Sequence, residues 1–384
     1  MNATQFGAVG DGITDDTVSL QALLNAVSSS GGDGVAEIPA GRFRITSPLH
    51  LDADDVIVQG HARTYIVVDQ PDIDGLVIGN GLSCRNTVSV RDLCFVNSGP
   101  ADTHTGGAFL KLDYTFNCFV ERVRVYGAHT ALLLNRCYES HVNGCILRQM
   151  TPGTGIGLRI TGTCSDQYFT DVRIVGSPGS QNPMPAYGAL IEQSSCVEMA
   201  NVSTTACENG IAVKPALGNV VEFLFFDRVK ADEGGEFGII LDGSMGSVRG
   251  VYGTDCWSSS NKGTGLLIQN CTDIKMSGMR CFNNLKHGFH LSSATDLTLS
   301  ECTASGNGSF QHPNYHGIVI GNANKVKILG CRSGQTSQFG NHQGYGLFMA
   351  SPFATKVLVD NCIFSGNITG ERFLQGDFKL GQNY

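Results

Sequence analysis

The sequence predicts an all-β chain, a right-handed parallel β-helix solenoid with a short N-terminal capping α-helix, on three observations. Gly followed by an apolar, any, apolar triplet returns as GLRI (157–160), GALI (188–191), GIAV (210–213), GIIL (238–241), GLLI (265–268), GFHL (288–291), GIVI (317–320) and GLFM (346–349). The glycines are 31, 22, 28, 27, 23, 29 and 29 residues apart, the period of a solenoid with insertions. A second strand-like segment with inward alternation follows each copy, as at 297–302 and 326–331. Gly is abundant, at 49 of 384 residues, and charged residues make up only 16%, which suits a chain that turns often and buries much of each turn.

Each element then has a place. Residues 1–45 read as the N-terminal cap and first strand, 46–364 as the coils and 365–384 as a tail, all one domain because no linker composition divides them. Thr14 or Asp15 can N-cap a helix ending at residue 28, whose Val18, Leu20, Leu23, Leu24 and Val27 would cover the open end of the first coil. Ala131-Leu132-Leu133-Leu134 is an earlier coil lacking its Gly. The 14 cysteines recur about once per coil, as stacks of unbridged thiols would. Outward positions of the first strand, among them Leu190, Ile240, Leu267, Val319 and Phe348, are apolar where a solvated face should be polar. Either long loops cover this stripe or identical chains pack on it, and a homotrimer is the favoured expectation.

Composition excludes some functions. A net charge of −8 disfavours nucleic acid, whose phosphates are met by Lys and Arg. No run of 18 apolar residues suggests a membrane span, and Met1-Asn2-Ala3-Thr4 lacks the basic and apolar regions of a signal peptide.

The segments Phe6-Gly7-Ala8-Val9-Gly10-Asp11-Gly12, Thr14-Asp15-Asp16-Thr17 and Ala36-Glu37-Ile38-Pro39-Ala40-Gly41-Arg42-Phe43-Arg44-Ile45 resemble the opening of the pectate-lyase-like β-helix superfamily. The resemblance implies the fold and action on a polysaccharide outside a cell, on a phage tail or free. The acids of this opening read as turn and cap residues. The Asn-Thr-Asp, Gly-His-Gly and Arg-Ile-Lys series of polygalacturonases and the Tyr-Gly-Phe-Asp-Pro-His of the epimerases are missing. What remains is similar in kind to tailspike depolymerases.

Glycoside hydrolysis needs two carboxyl groups about 5–9.5 Å apart, a span that one or two coil steps cover. Glu208, Asp232, Glu233, Glu236 and Asp255 lie late in three consecutive coils and are the candidate catalytic acids. Arg228 and Lys262 nearby, Trp257 and Tyr252 beside Asp255, and His290 are candidate sugar contacts. Asp92, Asp171 and Asp227 read as a structural turn stack. His287, His290, His312, His316 and His342 are spaced too widely for a metal site. Three functions follow: a hydrolase without cofactor, a uronate lyase or epimerase whose acids would hold Ca²⁺, and a non-catalytic carbohydrate-binding solenoid.

Overall fold

The computed structural model describes residues 1–31, 34–100, 103–177, 183–308, 314–336, 338, 342–349 and 351–382. They form two compact units, Met1–Val197 and Glu198–Tyr384. In each unit the coils stack their strands into three parallel sheets, the architecture of a parallel β-helix. The first-strand sheet of the first unit runs Leu49–Leu51, Leu76–Ile78, Ala108–Asp113, Thr130–Asn135, Ile156–Thr161, Tyr187–Ile191. That of the second unit runs Asn209–Val213, Phe237–Asp242, Leu266–Gln269, Phe289–Ser292, Ile318–Ile320, Tyr345–Met349, Gly370–Leu374.

The recurring Gly is explained by close approach between coils. A Cβ on Gly210, Gly265 or Gly288 would stand 2.5, 2.8 or 2.6 Å from the carbonyl oxygen of the corresponding Gly in the next coil. Only a residue without a side chain lets the backbones stack there. In the two positions that alternate inward, Leu158 and Ile160 or Ile239 and Leu241 are buried and build the core.

Between second and third strand the chain turns on one residue in the left-handed region. Asp92, Arg122 and Asp171 hold it in the first unit, and Arg228, Asp255, Glu301 and Asn361 in the second, with φ between 50° and 58°. Asp and Asn tolerate this region better than most residues, which is why the turn repeats acids. Asp92 and Asp171 are thus turn residues, but Asp227 is not. It ends the strand Val220–Asp227, and Arg228 takes the turn.

The capping helix is Thr17–Ser28, with Asp16 at its N-cap. Leu20, Leu23, Leu24 and Val27 are buried, the three leucines against Ile38, Leu49, Val58, Ile66 and Phe95 of the first coils. Val18, expected on that side, is 81% exposed. The acids of the opening are structural. Asp11 accepts from the Ile13 and Thr14 amides at 2.8 Å, and Asp16 from Val9 at 2.7 Å and Gly10 at 3.0 Å. The expected tail is not one: Gly370–Leu374 and Phe378–Leu380 pair with Tyr345–Met349 and Val357–Asp360 and extend the coils.

No disulfide links the cysteines, and all but Cys84 and Cys196 are buried. Their thiols donate to carbonyls of their own coil and the preceding one. Cys256 donates to Thr254 at 3.4 Å and Phe226 at 3.5 Å, and Cys302 to Ser300 and Met276 at 3.4 Å. Burial pushes the Cys256 thiol up to about 11 and Cys271 to about 12, so these two native thiols are poor nucleophiles. Thiol titration without reductant should find nearly all 14 in denaturant and two or fewer in the native protein. Finding half or fewer in denaturant would mean that bridges exist.

The outward apolar stripe is covered within the single chain. Leu190, Ile240, Leu267 and Val319 are only 6, 4, 7 and 8% exposed. The stripe therefore offers little surface to a second copy, and the expected trimer loses that support.

Candidate functional site

The third-strand sheet of the second unit consists of Ser203–Thr205, Lys230–Asp232, Trp257–Ser259, Arg280–Phe282, Thr303–Ser305 and Arg332–Ser333. In strands this short the middle residue points inward. Thr204, Ala231, Ser258, Cys281, Ala304 and Ser333 are all buried. The residues on either side point outward and make two parallel rows. One row is Ser203, Lys230, Trp257, Arg280, Thr303, Arg332. The other is Thr205, Asp232, Ser259, Phe282, Ser305.

From Asp232 and Trp257 onward these rows line a groove of about 590 Å³, with Asp232, Trp257, Arg280, Phe282, Ser305 and Arg332 among its lining residues. Trp257 is fixed by Lys230, whose Nζ lies 5.0 Å from its ring centroid, and by Phe282, edge-on at 5.8 Å. Its Nε1 is buried without a hydrogen-bond partner among the described residues. The Asp232 carboxylate accepts from Ser259 Oγ at 2.7 Å and from the Glu233 amide at 3.0 Å. A carboxylate, two aromatic rings, two guanidinium groups and several hydroxyls thus share one open face. Such a set can stack on sugar rings, bind their hydroxyls and move a proton.

The candidate residues are otherwise dispersed. Asp232 and Trp257 meet in the groove, and Glu233 stands exposed at its edge, in the left-handed turn with φ 54°. Asp255 and Arg228 occupy the other turn, at the opposite end of the third strand, and Arg228 pairs with Asp227 at 2.8 Å. Asp232 is in register with Ser259, not Asp255, and four extended residues separate those two positions by about 13 Å. Tyr252 lies on the outward face of the second-strand sheet, stacked on Phe225 at 5.5 Å and donating to Asp273 at 2.6 Å. Glu208, Glu236 and Lys262 belong to the turn that leads back to the first strand, with the Glu208 carboxylate over Gly235. The acids do not line one edge.

Arg280, Phe282, Thr303 and Arg332 escaped the sequence reading. Their signal was present, because Lys230, Trp257, Arg280, Thr303 and Arg332 follow at intervals of 27, 23, 23 and 29, the pitch of the glycines.

A second cavity of about 470 Å³ lies on the first-strand face of the same unit, lined by His287, Asn314, His316, Val319, Tyr345, Phe348 and Thr369. Its histidines form a ladder. The His316 amide donates to His287 Nδ1 at 3.1 Å, and the Tyr345 amide to His316 Nδ1 at 3.1 Å. His290 lies beside it, 5.4 Å from His287 between ring centroids, and His316 stacks on Phe348 at 4.1 Å. His312 lies outside the described residues. Burial first, then the neighbouring His290 and His316, lowers His287 to about 3, and burial lowers His316 to about 4. Both rings are therefore neutral acceptors with a structural duty.

The unfolded chain takes up protons at these sites below about pH 6.5, whereas the folded chain does so only near pH 3–4. Their stability contribution is complete above pH 6.5 and is lost as pH falls. Each should add a slope of up to about 1.4 kcal/mol per pH unit. Tm should fall steadily from pH 7 to pH 4.5, above the range in which the hydrogen-bonded Asp11 and Asp52 carboxyls, lowered from 3.8, titrate. A flat profile over that interval would contradict the ladder.

Known proteins agree with this architecture. A family described as right handed beta helix region matches residues 226–378, and one described as rhamnogalacturonase A/epimerase, pectate lyase-like, matches residues 1–87. The chain is thus a right-handed parallel β-helix whose first 87 residues are similar to the pectate-lyase-like family. Among curated proteins it is similar to mannuronan C5-epimerase AlgE1 of Azotobacter vinelandii, at 44% identity over 45 residues, 12% of this chain and 3% of that protein's length. The mannuronan C-5 epimerase AlgE4 A-module of Azotobacter vinelandii superposes with a TM-score of 0.70 at 16% identity, over 99% of this chain and 100% of that one. Tailspike protein 3 of bacteriophage CBA120 gives 0.77 at 15% identity, over 100% of this chain and 61% of that one. At such identities the structural likeness shows the fold alone.

Proposed function

We propose that the chain is a polysaccharide depolymerase that holds its polymer on the third-strand face of the Glu198–Tyr384 unit and cleaves it with Asp232. The observation that carries this reading is the open groove in which Asp232 lies with Trp257, Phe282, Arg280 and Arg332. Trp257 supplies a stacking ring. In hydrolysis, Asp232 exchanges the proton of the glycosidic oxygen or of water, and Glu233, at the adjacent turn, is the second carboxyl. No cofactor is required. The similarity to a mannuronan epimerase over 45 residues and to a phage tailspike in fold supports a polysaccharide substrate outside the cell. A virion or extracellular setting and a homotrimer complete the reading, and sedimentation near three times the 40.8 kDa chain mass is the check.

A second reading, elimination at a uronate, draws on the cations of the same groove, which could neutralise a carboxylate while Lys230 or Arg280 abstracts the adjacent proton. Ca²⁺ does not fit the expected acidic site. Glu208, Asp232, Glu236 and Asp255 stand on separate turns and strands, and no group of three potential ligands gathers among the described residues.

A panel of bacterial surface polysaccharides assayed for chain shortening, with the product ends analysed, tests both. New reducing ends without ultraviolet absorbance support hydrolysis, and absorbing unsaturated ends support elimination. Unchanged chain length across the panel would leave only a binding role and overturn the depolymerase.

A further inference from the structure

The cations of this face are periodic, with Arg280 and Arg332 lining the groove and Lys230 continuing their row outside its lining. Lys230, Arg280 and Arg332 occupy one outward row, and register places Trp257 between the first two and Thr303 between the last two. A cation therefore recurs at every second strand, about 9.6 Å at a strand spacing of 4.8 Å. Arg280 and Arg332 are exposed and make no ion pair among the described residues, and Lys230 meets only the Trp257 ring. Among the residues lining the groove the one carboxylate is Asp232, in the neighbouring row. In a chain of net charge −8, three cations without carboxylate partners on one face are not explained by solvation of the whole surface.

We infer that the groove selects an acidic polysaccharide whose anionic group recurs on every second sugar, laid along the stacking direction of the coils. An extended pyranose unit advances by a length comparable to one strand spacing, so a disaccharide repeat spans two strands, about 9.6 Å. Each anion of such a polymer meets one of Lys230, Arg280 and Arg332, and the uncharged sugars between meet Trp257 and Thr303. A polymer charged on every sugar would place alternate anions against Trp257 and Thr303, where no cation answers them. This inference rests on the groove being the polymer site.

Affinity electrophoresis in gels containing hyaluronan or chondroitin (one carboxylate per disaccharide), polygalacturonate (one per sugar), carboxyl-reduced hyaluronan and dextran tests it. The alternately charged polymers should retard the protein most, at least about tenfold more tightly than the carboxyl-reduced form, with retardation weakening as salt is raised. Arg280→Gln and Arg332→Gln should each weaken that binding about three- to tenfold and leave binding to dextran unchanged. Equal affinity for the carboxyl-reduced polymer, a preference for polygalacturonate, or no binding to any member overturns the inference. The two failures separate through Trp257→Ala. If it abolishes binding while the arginine variants do not, the groove stands and the charge register falls. If binding survives Trp257→Ala, the groove itself is wrong.

Discussion

Asp232→Asn should lower turnover on the cleaved polysaccharide by about 10²–10⁴-fold while leaving binding and folding intact. The amide keeps the shape of the carboxylate and its contacts with Ser259 Oγ and the Glu233 amide, and removes only the capacity to exchange a proton. Asp255→Asn is the informative control. Asp255 holds the left-handed turn with φ 50°, a conformation that Asn accepts equally well, so turnover and Tm should both stay near those of the parent. Glu208→Gln and Glu236→Gln, on the turn back to the first strand, should remain within about tenfold, the range of a nearby but non-reacting charge. Glu233→Gln divides the two readings: a loss matching Asp232→Asn supports paired-carboxyl hydrolysis, and full activity leaves Asp232 the only reacting carboxyl. A fully active Asp232→Asn would overturn carboxylate chemistry in the groove and leave only the elimination reading there.

The second large effect concerns the coil stack. Gly288→Ala should cost about 2–4 kcal/mol, because the new methyl group overpacks a rigid contact and strains a buried hydrogen-bond network. The added Cβ would lie 2.6 Å from the Gly317 carbonyl, 2.9 Å from Asn307 Nδ2 and 3.1 Å from Ala304 Cβ. None of these can yield easily. Asn307 is fully buried and donates to the Cys281 carbonyl at 2.9 Å, and its Oδ1 accepts from Asn284 Nδ2 at 2.9 Å. Gly218→Ala provides the comparison. Its Cβ meets nothing within 4 Å, but φ is +82°, so only the left-handed strain of about 1–2 kcal/mol applies. Should Gly288→Ala prove no more damaging than Gly218→Ala in denaturant unfolding, coil-to-coil approach is not what requires the glycines.

What the sequence revealed follows from how strongly each position is constrained. The glycines were legible because backbone approach admits no side chain, and the cysteines because each coil offers its thiol the same pair of carbonyls. The capping helix was legible through Leu20, Leu23, Leu24 and Val27, but Val18 misled because apolarity alone does not say which side a residue faces. Of the expected site residues, Asp232 and Trp257 come together in the groove, whereas Asp255 holds a turn apart from it. The one-residue left-handed turn favours Asp and Asn but here also holds Arg and Glu, so it leaves no fixed letter, and a shift of one residue exchanged the roles of Asp227 and Asp255. The partners of Asp232 were missed because a three-residue strand is too short to show alternation. Arg280 and Phe282 become visible only when strands are aligned coil by coil.

Trp257 is the only tryptophan in the chain and lies in the proposed groove, so its fluorescence reports on that site alone. Titration of Asp232→Asn, which should bind without cleaving, with a polysaccharide that the parent enzyme shortens is the most direct measurement. The expected result is a saturable change in Trp257 emission and reduced quenching by acrylamide, with a midpoint matching the binding affinity found by electrophoresis. Polymer that binds this variant, and is cleaved by the parent, without any change in Trp257 emission or acrylamide access would contradict the assignment of the third-strand groove.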